Sequence, residues 1–322
     1  MEKRIRFYII NLLFPANNDI MSFDINGTYL LYHKVTNYNS IEDSLRSNFD
    51  ISDTCYIDLP IKDTVDNTVD FIMKINYLLS FCRGNIINFS RYIIYDEKWK
   101  EINTVIINPI STPYTCLELI PRIYIHDTQR FLSNAFKEYD KVDSLYMIRK
   151  IAREFPTTRN SATFLSSRSL ILTAIIEYIL FCFNRKIDNL ELFNKNEYIN
   201  SIEDIKKELS SLFEDKFGKK NKSKSQSIIN KMDGLNLRTL NWKFQKFIKH
   251  YRLPINSNDI KKFKDIRDTL AHTLIFPEAD DEIMDWKFLV NIIDKIIMGL
   301  FNYEGPYYNF YVGTDEYFKL CS

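Results

Sequence analysis

The sequence predicts an α+β protein: a β-rich N-terminal module with one helix, followed by an all-helical bundle. Three observations lead there. Near residue 120 the apolar pattern changes from short β-branched and aromatic runs to three- and four-residue helical steps. Glycine is scarce, 7 residues against 24 Phe and 20 Tyr, which suits helices and plain strands better than glycine-rich phosphate loops. Hydrophobic residues make up 45% of the 322 and charged residues 26%, enough apolar surface for a full core.

The elements follow in order. MEKRIRFYIINLLF imitates a signal peptide. Its apolar run is short, contains Asn11 and lacks a small-residue cleavage box, so it reads as a first strand. TYLLYHKV, TCYIDLPI, IINFSRYIIY and NTVIINPI give further strands, bounded by Asn, Asp, Gly and Pro. One helix interrupts them: Val69, Ile72, Ile75, Leu78 and Leu79 recur at helical spacing, and Arg83-Gly84-Asn85 stops it. Helices are then predicted near 127–139, 142–154, 160–184, 201–217, 222–233, 238–251, 258–275 and 281–302. Ser201 and Asp204 resemble a capping box, Pro277 ends the 258–275 helix, and Asp280, Asp281 and Glu282 open the last one. KKNKSKSQS (219–227) reads as a loop, and PYYNFYVGTDEYFKL as a short β-like tail. The expected division is 1–120, a regulatory module; 121–160, a helical connector; 161–305, the bundle; and 306–322, a tail.

Several function classes have no support. There is no GxGxxG and no GxxxxGK[ST], against common nucleotide-binding folds. Cys55, Cys82, Cys116, Cys182 and Cys321 are odd in number and never spaced CxxC, which fits a reducing cytoplasm rather than disulfides or zinc. No apolar run reaches the ~18 residues of a membrane span. No His, Cys and carboxylate set has metal-ligand spacing, and no Ser-His-Asp or Cys-His nucleophile stands out. Glu278, Asp280, Asp281 and Glu282 are explained by a helix N-terminus more simply than by Mg²⁺. Arg122 and His126, beside Pro121, read as structural. Neither a cofactor nor a metal is expected.

One helix, carrying IRDTLAHTLIF (266–276), stands apart. At 100° per residue, Phe263, Ile266, Leu270 and Leu274 fall within about 80° and form a core stripe. Arg267 lies on the shoulder of that stripe and His272 roughly opposite its centre, which disfavours a buried structural histidine. Asp268 precedes His272 by four residues, within reach to orient the imidazole. Arg267 and His272 are about 140° apart, so they meet only if the arginine curls round or a second chain brings another copy.

Hydrophobic–Arg–Asp–x–Leu–Ala–His, late in a helical domain, resembles the R-x4-6-H signature of HEPN ribonucleases, closest to the ApeA-like proteins of prokaryotic defence. Asp268 matches the polar residue that usually follows the arginine there. RSLILTAIIEYILF (168–181) resembles their first long helix, with Glu177 in the place of an acidic residue. LLSFCRGN (78–85) is similar to part of their β-rich N-terminal region. The resemblance implies metal-independent endonucleolytic RNA cleavage at a composite site in a homodimer formed through the bundle. His272 would be the general acid/base and Arg267 would hold the scissile phosphate, leaving a 2′,3′-cyclic phosphate and a 5′-hydroxyl. An N-terminal module sensing a phage-derived trigger is implied likewise. Two other outcomes remain: a catalytically silent RNA- or protein-binding scaffold, and a toxin held by an inhibitory partner.

The charge pattern adds a second feature. Net charge is only +1, yet from Lys216 to Lys264 there are 14 Lys/Arg and two acids, Asp233 and Asp259. Lys243, Lys246, Lys249, Lys261, Lys262 and Lys264 are the candidate RNA contacts, interleaved with Trp242, Phe244 and Phe247. The aromatics read as core, the lysines near His272 as phosphate contacts. Ser166, Ser169, Thr173, Glu177 and Asn184 make a polar stripe on an apolar helix, either solvated or lining a cleft.

Overall fold

A computed structural model describes residues 2–16, 18–48, 52–108, 117–159, 164–186, 192–218, 222–232, 237–273 and 279–321. The fold is α+β. An N-terminal antiparallel sheet of six strands, in order β2-β3-β4-β1-β5-β6, is followed by mostly helical chain. The predicted first strand is β1 (Arg4–Ile10), and it lies inside the sheet between β4 (Asp53–Pro60) and β5 (Asn88–Tyr95). Alternation decides its faces: Ile5, Phe7 and Ile9 are buried, while Arg6 and Tyr8 point the other way, half-buried. β6 is Glu101–Ile106; residues 109–110 of the expected strand lie outside the described residues.

Two elements of this module escaped the sequence pattern. β2 (Ile20–Ile25) pairs with β3 (Thr28–Lys34) through a two-residue turn. Asn26 and Gly27 both take positive φ, 50° and 75°, the backbone a tight antiparallel hairpin demands, so Asn-Gly was the legible signal. A second helix, α1 (Tyr38–Asn48), follows β3; its start is tied down where the Tyr38 hydroxyl accepts from Phe14 N at 2.7 Å. The expected helix is α2 (Val65–Arg83), capped by Thr64 and ended by Gly84 at φ 62°. A side chain at Gly84 would strike the Leu117 carbonyl, so both conformation and space require glycine. Arg83 is buried beside it and donates to Ile120 O at 2.7 Å.

The next two helices break later than the sequence suggests. α3 runs Ile125–Tyr146 and α4 Ile148–Glu154, followed by a 3-10 turn, Phe155–Arg159. Buried Tyr139, Val142 and Tyr146 continue the apolar face past residue 140, so the helix ends only at Met147, in the left-handed region. Asp143 Oδ1 accepts from Arg149 N at 3.1 Å and starts the next helix. Arg122 pairs with Glu118 at 2.9 Å and Glu42 at 3.4 Å, in keeping with a structural role.

Then come α5 (Leu165–Lys186), α6 (Lys195–Phe217), α7 (Lys222–Asn230), α8 (Leu240–Tyr251), α9 (Ser257–Thr273) and α10 (Ala279–Leu300). The Ser201–Asp204 capping box is not there. α6 begins two turns earlier on Asn194, whose side chain accepts from Asn196 N at 3.0 Å. Ser201 donates instead to Glu197 O at 2.7 Å, and Asp204 pairs with Lys207. Within the expected 219–227 loop, residues from 222 onward are helical, and 219–221 lie outside the described residues, as do Cys116, Asp233, Leu274, Pro277 and Glu278. The tail is a hairpin, β7 (Gly305–Asn309) with β8 (Thr314–Phe318).

By length and composition one described helix, α5, could cross a membrane, and 50% of its apolar window is buried inside the protein. Its polar residues Ser169, Thr173 and Glu177 leave no unbroken apolar run, which is why the sequence alone did not single it out. The polar stripe on α5 is largely buried. Thr173 donates to Ser169 O at 2.8 Å, and Asn184 to Leu180 O at 2.6 Å.

The chain groups into two compact units, 1–178 with 248–322, and 179–247. In the first, Arg159 and Asp294 form a fully buried ion pair, with Arg159 also donating to Leu117 O at 2.8 Å and lying over the Phe155 ring. In the second, Phe183 and Phe247 pack edge to face at 5.3 Å, and Tyr198 donates to Met232 O at 2.7 Å.

Candidate functional site

α9 is set by its own capping box. Asn256 Oδ1 accepts from Asn258 N at 2.8 Å and Asp259 N at 3.1 Å, while Asp259 Oδ2 accepts from Asn256 N at 3.0 Å. The predicted core stripe is present: Phe263, Ile266 and Leu270 are buried. With that stripe inward, Arg267 and Asp268 lie half-buried on its flank and His272 is exposed in the last turn.

Arg267 meets two carboxylates. Its Nε donates to Glu177 Oε1 on α5 at 2.8 Å, and its Nη1 donates to Asp268 Oδ1 at 2.9 Å. The three side chains keep 38%, 35% and 40% of their surface, so the cluster is open to a ligand and screened by water. The hydrogen bond to Asp268, and then the charge of Glu177, hold the Arg267 guanidinium above its ordinary pKa while burial works the other way. The resemblance supplied Glu177 as a site residue; nothing in sequence spacing links positions 90 residues apart.

His272 stands apart from this cluster. Asp268, four residues earlier, turns its carboxylate to Arg267, and among the described residues His272 makes no hydrogen bond to Asp268 or Arg267. The structure therefore assembles Arg267, Glu177 and Asp268 in one chain and leaves the imidazole outside them. Chemically, the trio offers a positioned, partly exposed guanidinium that fits a phosphate, and His272 offers a solvent-accessible proton carrier one turn away.

The six lysines have different settings. On α8, Lys243 is half-buried and Lys246 and Lys249 are exposed; Lys246 lies 5.2 Å over the Trp242 ring. Phe244 and Phe247 are fully buried, as the core reading expects. On α9, Lys261 and Lys264 are exposed. Lys262 is directed inward: it pairs with Asp285 at 3.1 Å and lies over the rings of Phe288 and Tyr311 at 5.0 and 5.1 Å. At the α10 start, Glu282 accepts from Ser166, and the side chains of Asp280 and Asp281 are outside the described residues. No group of three or more metal-ligating side chains forms among the described residues. Cys55, Cys82 and Cys182 are buried free thiols, and burial pushes Cys82 up to about 12, away from nucleophilic use.

Comparison with protein-family models, with curated proteins and with solved structures gives no match to this chain.

Proposed function

We propose that this protein is a cytoplasmic, metal-independent endoribonuclease whose active site is completed by a second copy of α9 in a homodimer. The observation that carries the reading is the anchoring of Arg267 by Glu177 at 2.8 Å, with an exposed His272 further along the same helix. An arginine held in place by a carboxylate is preorganised for phosphate, and an exposed imidazole can both take and give a proton. Because the two face about 140° apart on one helix, a single copy makes a poor site, and a facing copy supplies the missing half.

In the proposed reaction His272 takes the proton of the 2′-hydroxyl. The 2′-oxygen attacks phosphorus, the bond to the 5′-oxygen breaks, and His272 of the partner subunit protonates that oxygen. Arg267 balances the charge that grows on the phosphate oxygens. The products are a 2′,3′-cyclic phosphate and a 5′-hydroxyl. Lys261 and Lys264 extend the electrostatic attraction along the strand. A trigger-sensing N-terminal module and a role in anti-phage defence follow from the motif resemblance alone.

A second reading, a silent RNA- or protein-binding scaffold, is favoured by one fact: Arg267 already has two carboxylate partners, which a phosphate would have to displace or share. Purified protein and its His272→Ala variant, incubated with labelled RNA in EDTA, separate the two. Cyclic-phosphate ends from the wild type alone support the enzyme. Binding without cleavage by either protein supports the scaffold.

A further inference from the structure

The sheet carries a second feature, unrelated to α9. One face is core: Phe7, Ile57, Tyr32 and Phe89 are buried there. On the other, the strand registers align a row across four strands. His33 of β3 is opposite Tyr56 of β4, Tyr56 is opposite Tyr8 of β1, and Tyr8 is opposite Arg91 of β5. The row is stacked. His33 and Tyr56 lie 5.2 Å apart and within 16° of parallel, Tyr8 and Tyr56 are 6.3 Å apart, and the Arg91 guanidinium sits 4.0 Å over Tyr8. Arg6 sits 4.3 Å over Tyr56. Three strand spacings make the row roughly 14 Å long.

A cleft of about 900 Å³ opens over Tyr56, Tyr8 and Arg91, and an adjoining hollow of about 540 Å³, which His33 lines, shares Tyr56 and residues 34–37 with it. Among its described lining residues are three cations, Arg6, Lys34 and Arg91, and one carboxylate, Asp53. Arg6 is committed, with two 2.7 Å bonds to Asp58. Lys34 is 16% exposed, lies over the Tyr38 ring at 4.6 Å and the Phe14 ring at 5.7 Å, and has Asp19 3.6 Å away. Arg91 shares Asp53 with Ser90 and keeps 40% of its surface. Of the three cations Arg91, at one end of the row, keeps the most accessible charge.

We infer that this cleft binds a nucleotide unit, its base against Tyr56 and Tyr8 and its phosphate at Arg91. Aromatic rings accept the π-face of any base, and a guanidinium complements phosphate. A lone phosphate would leave the ring row unused, and the cleft volume is that of a small-molecule site rather than an ion site. The same chemistry belongs to a free nucleotide and to an unpaired nucleotide within a strand. The inference does not rest on ribonuclease activity.

The test titrates the full chain with two probes: adenosine 5′-monophosphate, and a short single-stranded 2′-O-methyl oligonucleotide that offers no 2′-hydroxyl to cleave. Arg91→Ala and Tyr56→Ala should each weaken binding about tenfold, the size of one lost stacking or phosphate contact. Tyr56→Phe should bind as the wild type does, which separates loss of the ring from loss of the fold. Binding of the monophosphate assigns the cleft to free nucleotides; binding of the oligonucleotide alone assigns it to a strand. The inference is overturned if neither probe binds, or if affinity ignores these substitutions. Oligonucleotide affinity that falls with Lys264→Ala but not with Arg91→Ala belongs to α9, and overturns it equally.

Discussion

Glu177 and Arg267, 90 residues apart in the chain, meet at 2.8 Å, the carboxylate on α5 accepting from the guanidinium Nε on α9. The bond aims a flexible side chain, and Asp268 holds its other edge at 2.9 Å. Because all three side chains are more than a third exposed, the pairs contribute little to stability, about 0–1 kcal/mol each. Their effect is on where the positive charge points.

Positioning makes a prediction that stability does not. Glu177→Ala should slow RNA cleavage about tenfold while leaving the melting temperature nearly unchanged, since a misplaced phosphate-binding group costs rate, not fold. Glu177→Gln, whose amide oxygen still accepts from Nε, should retain most activity. Cleavage rates and thermal melts of the two variants side by side decide the matter; equal losses in both would remove Glu177 from the site.

A shared active site has a signature in mixtures. If the proposed dimer forms, His272→Ala chains added to wild type should depress cleavage more than dilution does, because each mixed dimer loses one imidazole. Activity that falls in strict proportion to the wild-type fraction would mean that each chain works alone.

The lysines of α9 should separate by setting. Lys261→Ala and Lys264→Ala should weaken RNA binding and each lower the slope of log affinity against log salt by about 1. Lys262→Ala should leave that slope alone and cost about 1 kcal/mol of stability, because its ammonium is bound to Asp285 and lies over two rings. Filter binding across salt concentrations, with urea melts of the same proteins, reads both. A salt slope that drops for Lys262→Ala would place its charge on the RNA instead.

The pair of Arg159 and Asp294 is fully buried. Arg159→Ala, which leaves Asp294 in the core without its partner, should destabilise by about 3–5 kcal/mol above about pH 7, where the carboxyl is charged. Burial pushes Asp294 up from 3.8 to about 7 against the pull of Arg159. A carboxyl that holds its proton more tightly in the fold than in the unfolded chain stabilises at low pH. That contribution is complete below about pH 4 and lost as pH rises through about 7. Urea melts of wild type and Asp294→Asn between these limits should therefore diverge, the wild type alone losing this contribution as pH rises. Parallel pH curves would contradict the assignment.

Much of the secondary structure was legible because it is local. Alternation in RIRFYII makes a strand with apolar and polar faces, and the stripe of Phe263, Ile266 and Leu270 makes a helix that presents Arg267 on its shoulder and His272 outward. Where the sequence pattern failed, another local signal was overlooked, as with Asn26-Gly27, or a neighbour overruled it. α3 runs on to Tyr146 because Val142 and Tyr146 have a core to enter, which no count of periods reveals. Asp268 shows the limit most clearly. Four residues before His272 it has the spacing of a histidine partner, yet Arg267 is adjacent, charged and already steered toward it by Glu177, so the carboxylate turns there.

The sequence by itself determined the succession of strands and helices, the faces of α9, and the residue types able to handle a phosphate. Tertiary structure alone decided which of them meet. It joined Arg267 to Glu177, turned Lys262 inward to Asp285, buried Arg159 against Asp294, and lined up His33, Tyr56, Tyr8 and Arg91 across four strands. The physical reason is range. Backbone sterics and side-chain period act over a few residues, whereas ion pairs and stacked rings act between any residues that packing brings within a few ångströms.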